Sequence, residues 1–66
     1  NSLVVVLKTL PKNGTLIIYS ANGQEITKKQ LVDLKTTINI NNFAKGLYII
    51  KVVSANVASF GKFIKI

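Results

Sequence analysis

The sequence predicts an all-β fold, an antiparallel sandwich of six to seven short strands, and three observations carry the prediction. Short apolar runs alternate with turn residues along the whole chain, as in small sandwiches and barrels. The runs are rich in Val, Ile and Thr, whose β-branched side chains suit a pleated surface. An Asn22-Gly23 pair sits between two such runs, and Asn-Gly is the strongest short-range signal for a hairpin.

Taken in order, the first strand covers Leu3 to Leu10 and is broken by Pro11-Lys12-Asn13-Gly14, with Pro suited to the second position of a turn and Gly to a positive φ. A second strand spans Thr15 to Ser20. It turns through Ala21-Asn22-Gly23-Gln24, for which a type I′ turn is expected, into a returning strand from Gln24 to Leu31. Lys28 to Lys35 is too short to stand alone as a helix and reads as a strand end followed by a polar bend. Thr36 to Ile40 is a short fourth strand. Asn41 to Gly46 then reads as one tight or 3₁₀ turn that buries Phe43.

Leu47 to Ser54 is apolar on both faces except at Lys51, which predicts a central strand. After an Ala55-Asn56 turn, a final strand runs from Ala58 to Ile66. Its alternation puts Ile64 and Ile66 on one face and Phe63 and Lys65 on the other. Two packed sheets joined by hairpin and Greek-key connections follow, an Ig-like sandwich, with a small closed barrel as the structural rival.

Sixty-six residues make one domain at most, with modest stability expected at this size. With no Cys and no His, disulfides and the usual zinc ligand sets are excluded, so stability has to come from packing. The net charge is +7 and every basic residue is Lys. That balance favours anionic partners, but without Arg the bidentate recognition of phosphate and guanine is missing, and no nucleic-acid partner is expected. A Lys-rich surface is more often a solubility device and a guard on strand edges. The longest apolar run, Leu3 to Leu7, is far short of the roughly 20 residues of a membrane-spanning helix. The opening at Asn1 rather than Met suggests a piece of a longer protein, although processing of a short precursor would look the same.

The inventory argues against an enzyme. The only acids are Glu25 and Asp33, beside or within a bend, and general acid–base chemistry usually needs His or a carboxylate pair. Ser2, Ser20, Ser54 and Ser59 have no His to activate them and sit near strand ends or turns. The glycines mark turns and strand boundaries and form no phosphate-binding fingerprint, so no cofactor is expected. Tyr19, Phe43, Tyr48, Phe60 and Phe63 could stack single-stranded bases, but in so small a sandwich they read more simply as core. The Tyr48 hydroxyl must find a partner or reach water.

A resemblance rests on the ordered combination of three pieces. From Gly14 the chain reads Gly-Thr-Leu-Ile-Ile-Tyr-Ser-Ala-Asn-Gly-Gln-Glu-Ile. It continues from Thr37 as Thr-Ile-Asn-Ile-Asn-Asn-Phe-Ala-Lys-Gly-Leu-Tyr-Ile-Ile-Lys-Val, and finishes from Phe60 as Phe-Gly-Lys-Phe-Ile-Lys-Ile. This order resembles the type A C-terminal sorting domain of the type IX (Por) secretion system of Bacteroidetes, over nearly the whole chain. Two departures stand out: the Pro-Asn-Pro segment that usually precedes the first strand is missing, and Asn39 occupies a position where the family often has Asp.

The resemblance implies an address rather than a reaction. Residues 1–66 would be a single C-terminal sorting domain behind a fused cargo, directing it through the outer-membrane translocon to the cell surface or the medium. Its partners would be the translocon and a surface sortase-like protease that commonly removes the domain. The expected recognition residues are the Gly46, Leu47, Tyr48 corner and the closing Lys62, Phe63, Ile64, Lys65, Ile66. A terminal strand at a sheet edge could pair with a receptor strand, with Lys62 and Lys65 discouraging promiscuous pairing. In the plainer reading, Phe63, Ile64 and Ile66 complete the core and the lysines are solvated. An exposed terminal strand also leaves a strand-mediated dimer open. The alternatives are an Ig-like accessory or adhesion module binding glycan or protein, and a basic single-stranded nucleic-acid-binding barrel.

Overall fold

Strands with one apolar face must bury it against another layer. The computed structural model, which describes residues 2–55 and 57–66, shows two antiparallel sheets meeting in this way. The strands are β1 (Ser2–Val6), β2 (Thr15–Ser20), β3 (Glu25–Gln30), β4 (Lys35–Asn39), β5 (Gly46–Val53) and β6 (Ala58–Lys65), and among the described residues there is no helix. One sheet has the order β1-β4 and the other β3-β2-β5-β6. Among the described residues no strand ladder joins the two sheets, so the fold is a sandwich and not a closed barrel.

Alternation sets the inner faces. Leu16 and Ile18 of β2 are fully buried and form the centre of the core with Leu31, Ile38, Ile40 and Tyr48. Burying each of the two β2 side chains stabilises the fold by about 1.5–3 kcal/mol. In β4 the buried Thr36 and Ile38 alternate with exposed Lys35, Thr37 and Asn39. Their partners across the ladder are Val5 and Leu3 of β1, both half-buried on the same inner face.

Three local readings differ from the sequence expectation. The first strand ends at Val6 rather than Leu10, because its partner β4 begins at Lys35; one further bond, Leu7 N–H to the Leu34 carbonyl at 2.8 Å, closes the pair. In the turn that follows, Asn13 takes the positive φ (56°) and not Gly14. Gly14 is needed for a different reason: a Cβ there would lie 2.6 Å from Pro11 Cγ and 3.2 Å from Leu31 Cδ1.

The Asn22-Gly23 hairpin is present, but its turn is not type I′. Only Gly23 (φ 89°) has a positive φ there, whereas type I′ needs two such residues. Instead Gly23 N–H donates to the Ser20 carbonyl at 2.9 Å and Ser20 N–H to the Gln24 carbonyl at 2.8 Å, a three-residue loop. The register then slips between Ile18 and Tyr19, leaving Ile26 as the extra residue of a β-bulge on β3.

The polar bend before β4 is as expected: the Asp33 carboxylate accepts the Leu34 N–H at 2.7 Å. The next bend is a tight turn closed by Phe43 N–H to the Ile40 carbonyl at 3.0 Å, with Phe43 half-buried. β5 is central, paired with β2 on one side and β6 on the other. Asn56 of the predicted Ala55-Asn56 turn lies outside the described residues, as does Asn1; beside the former, Ser54 N–H donates to the Val57 carbonyl at 2.9 Å.

Candidate functional site

The two segments singled out in the sequence lie directly opposite one another. β5 and β6 pair so that Gly46 faces Lys65, Leu47 faces Ile64, Tyr48 faces Phe63 and Ile49 faces Lys62. Gly46 opens β5 at φ 145°, a conformation disfavoured for residues with a Cβ, while the space around it is open. The glycine is therefore required by the backbone and not by crowding.

Alternation divides these residues into two groups. Tyr48, Phe63 and Lys65 face inward. Phe43 and Tyr48 rings lie 5.1 Å apart, and Tyr48 stacks on Phe63 at 5.2 Å. The Tyr48 hydroxyl donates to the Ala44 carbonyl at 2.5 Å, which supplies the partner a buried phenol requires. Lys65 is half-buried, and its Nζ donates to the carbonyls of Ile40 at 2.6 Å and Asn41 at 3.1 Å, on the segment leaving β4. Lys29, from the opposite edge strand β3, makes a longer contact of the same kind, 3.4 Å to the Thr37 carbonyl of β4.

Leu47, Lys62 and Ile64 face outward. The plainer sequence reading, in which Ile64 and Ile66 complete the core, is overturned: they are 69% and 96% exposed. The same reading had the lysines solvated, which fails for Lys65. The expectation that Phe60 is core fails too, at 70% exposure, and Tyr19 is only half-buried on the outer face. The side of the sheet they face explains this. A two-stranded layer faces a four-stranded one, and nothing within the described residues covers the other side of the larger sheet.

That outer face can be read row by row from the registers. One row runs Lys28, Ile17, Lys51, Phe60; the next runs Glu25, Tyr19, Ile49, Lys62; Leu47 and Ile64 extend it at the end near the chain terminus. The Lys51 ammonium lies 5.8 Å from the centroid of the Phe60 ring, within cation–π range. Ile49, Phe60, Gly61 and Lys62 line a shallow apolar groove. Lys51, Ile49 and Phe60 were not among the residues expected from the sequence to form the site. The alternation within β5 and β6 was visible, but which face looks away from the other sheet was not.

The whole chain, residues 1–66, matches a family described as the secretion system C-terminal sorting domain. The chain belongs to that family. It is thus a sorting domain of the type IX system of Bacteroidetes, a family of export signals and not of enzymes, whose members mark proteins for the cell surface or for release through the outer membrane. No curated protein and no solved structure gives a significant match to this sorting domain.

Proposed function

We propose that this sorting domain directs a cargo fused upstream through the outer-membrane type IX translocon, and that the folded β5–β6 hairpin is what the machinery reads. The supporting observation is the register that sets Gly46, Leu47 and Tyr48 directly across from Lys65, Ile64 and Phe63, so that two stretches distant in sequence form one edge hairpin, with Leu47 and Ile64 on its outer side. A signal recognised after the cargo has reached the periplasm must be legible while folded, and a hairpin at the edge of a sheet meets that need. Surface attachment, with a sortase-like protease removing the domain, is one fate of such a cargo, and release is the other.

The test deletes Lys62–Ile66 from a secreted reporter fusion and follows the reporter by fractionation. Periplasmic retention is expected. Normal export of a truncation whose circular dichroism still shows a folded sandwich would overturn the assignment.

A further inference from the structure

The inward residues of β6 are already engaged: Phe63 stacks on Tyr48 and Lys65 binds the Ile40 and Asn41 carbonyls. What remains for a partner to touch is the outer face. There Phe60 (70% exposed), Ile64 (69%) and Leu47 (41%) surround Ile49, with Lys51 and Lys62 beside them. The outward positions of β5 and β6 hold two lysines and no carboxylate; Glu25 lies on the far edge strand β3. Apolar anchors around an exposed aromatic, flanked by charges of one sign, match the organisation of protein-binding hot spots.

We propose that this β5–β6 outer face is the docking surface, and that its occupant is a protein surface offering an apolar contact for Phe60 and Ile64 with carboxylates placed for Lys51 and Lys62. This rests on the sorting reading above and states how the signal is read: by side chains on the sheet's face, not by backbone pairing along the free edge of β6. A second copy of the chain fits poorly, because with a net charge of +7 it would set lysines against lysines. An anionic glycan or lipid would use the lysines but leave Phe60 and Ile64 without a counterpart.

The experiment places the 66-residue chain behind a folded reporter in a host with working type IX export, and measures the ratio of reporter outside the cell to reporter in the periplasm. The unaltered fusion is the control for the sorting reading: its retention in the periplasm would overturn that reading, and this proposal with it. Given its export, two face variants are compared, Phe60→Ser and the double Lys51→Glu, Lys62→Glu. A third variant, Lys8→Glu with Lys12→Glu, makes the same change in net charge on the exposed segment after β1.

Both face variants are expected to lower the exported ratio about tenfold or more, as for loss of one or more hot-spot contacts, while circular dichroism still shows a folded sandwich. The third variant is expected to export normally. Normal export of both folded face variants would overturn the proposal and leave edge pairing. An equal loss in the third variant would also overturn it, since net charge and not the face would then be read.

Discussion

Lys65 Nζ donates to the Ile40 carbonyl across 2.6 Å, joining the last strand of the larger sheet to the end of β4 in the smaller one. The bond closes a loop of the chain from β4 to β6 and holds β6 down at its C-terminal end. It also separates two lysines that look equivalent in the sequence. Lys65 fastens the strand, whereas Lys62 stands on the uncovered face opposite Ile49.

Replacing Lys65 with Met should therefore destabilise the domain by about 1.5–3 kcal/mol, the usual worth of hydrogen bonds from a charged group. Lys62→Met should stay within about 0.5 kcal/mol, as for an ordinary surface change. Urea unfolding of the two variants measures the difference. Equal stability would show that the Lys65 contact contributes nothing.

Tyr48→Phe keeps the ring between Phe43 and Phe63 and removes only the bond to the Ala44 carbonyl. A loss of about 0.5–1.5 kcal/mol is expected. A double-mutant cycle between Tyr48 and Phe63, truncating each to Leu, should give a coupling of about 0.5–1.5 kcal/mol from the stacked rings. A cycle that sums to zero would reduce the stack to simple area burial.

The glycines should separate by cause. Gly14→Ala forces a Cβ against Pro11 Cγ and should cost about 1–3 kcal/mol, through overpacking. Gly46→Ala meets open space but an unfavourable φ of 145°, and about 1–3 kcal/mol of backbone strain is expected. At Gly61 neither obstacle is present, and Ala should be neutral or stabilising by up to about 1 kcal/mol. Thermal melts of the three variants check the order, and a destabilising Gly61→Ala would contradict it.

Ile18 is fully buried at the centre of a small core. Ile18→Ala should cost about 2–5 kcal/mol, enough to threaten a domain of this size. The outer-face neighbour Ile17→Ala should cost clearly less, because Ile17 is only partly covered. Near-equal midpoints in urea would mean that the face assignment of β2 is wrong.

Much of this molecule could be read from residue order. The six strands and their turns follow from alternation between β-branched runs and Gly, Pro, Asn breaks, and Tyr48's need for a hydroxyl partner follows from its chemistry. The structure departs from residue order where local signals are equivocal. Asn22-Gly23 marks a hairpin but does not choose between a two-residue turn and a three-residue loop with a bulge, since both accept Gly at a positive φ. Asn13-Gly14 likewise offers two residues that tolerate a left-handed backbone, and packing against Pro11 and Leu31 decided which one adopts it.

The closing Lys-Phe-Ile-Lys-Ile shows where the boundary lies. Its alternation, and with it the opposite facing of Phe63 and Ile64, belongs to the sequence, because successive side chains on a strand point to opposite sides. Which of the two sides is inside was a tertiary decision. It depends on β6 pairing with β5 at the edge of a four-stranded sheet, with only two strands on the other side to cover it. That arrangement buries part of Phe63, ties Lys65 to the Ile40 carbonyl, and leaves Ile64 and Phe60 in water. No local propensity encodes it, because the layer that covers one face is assembled from strands far away along the chain.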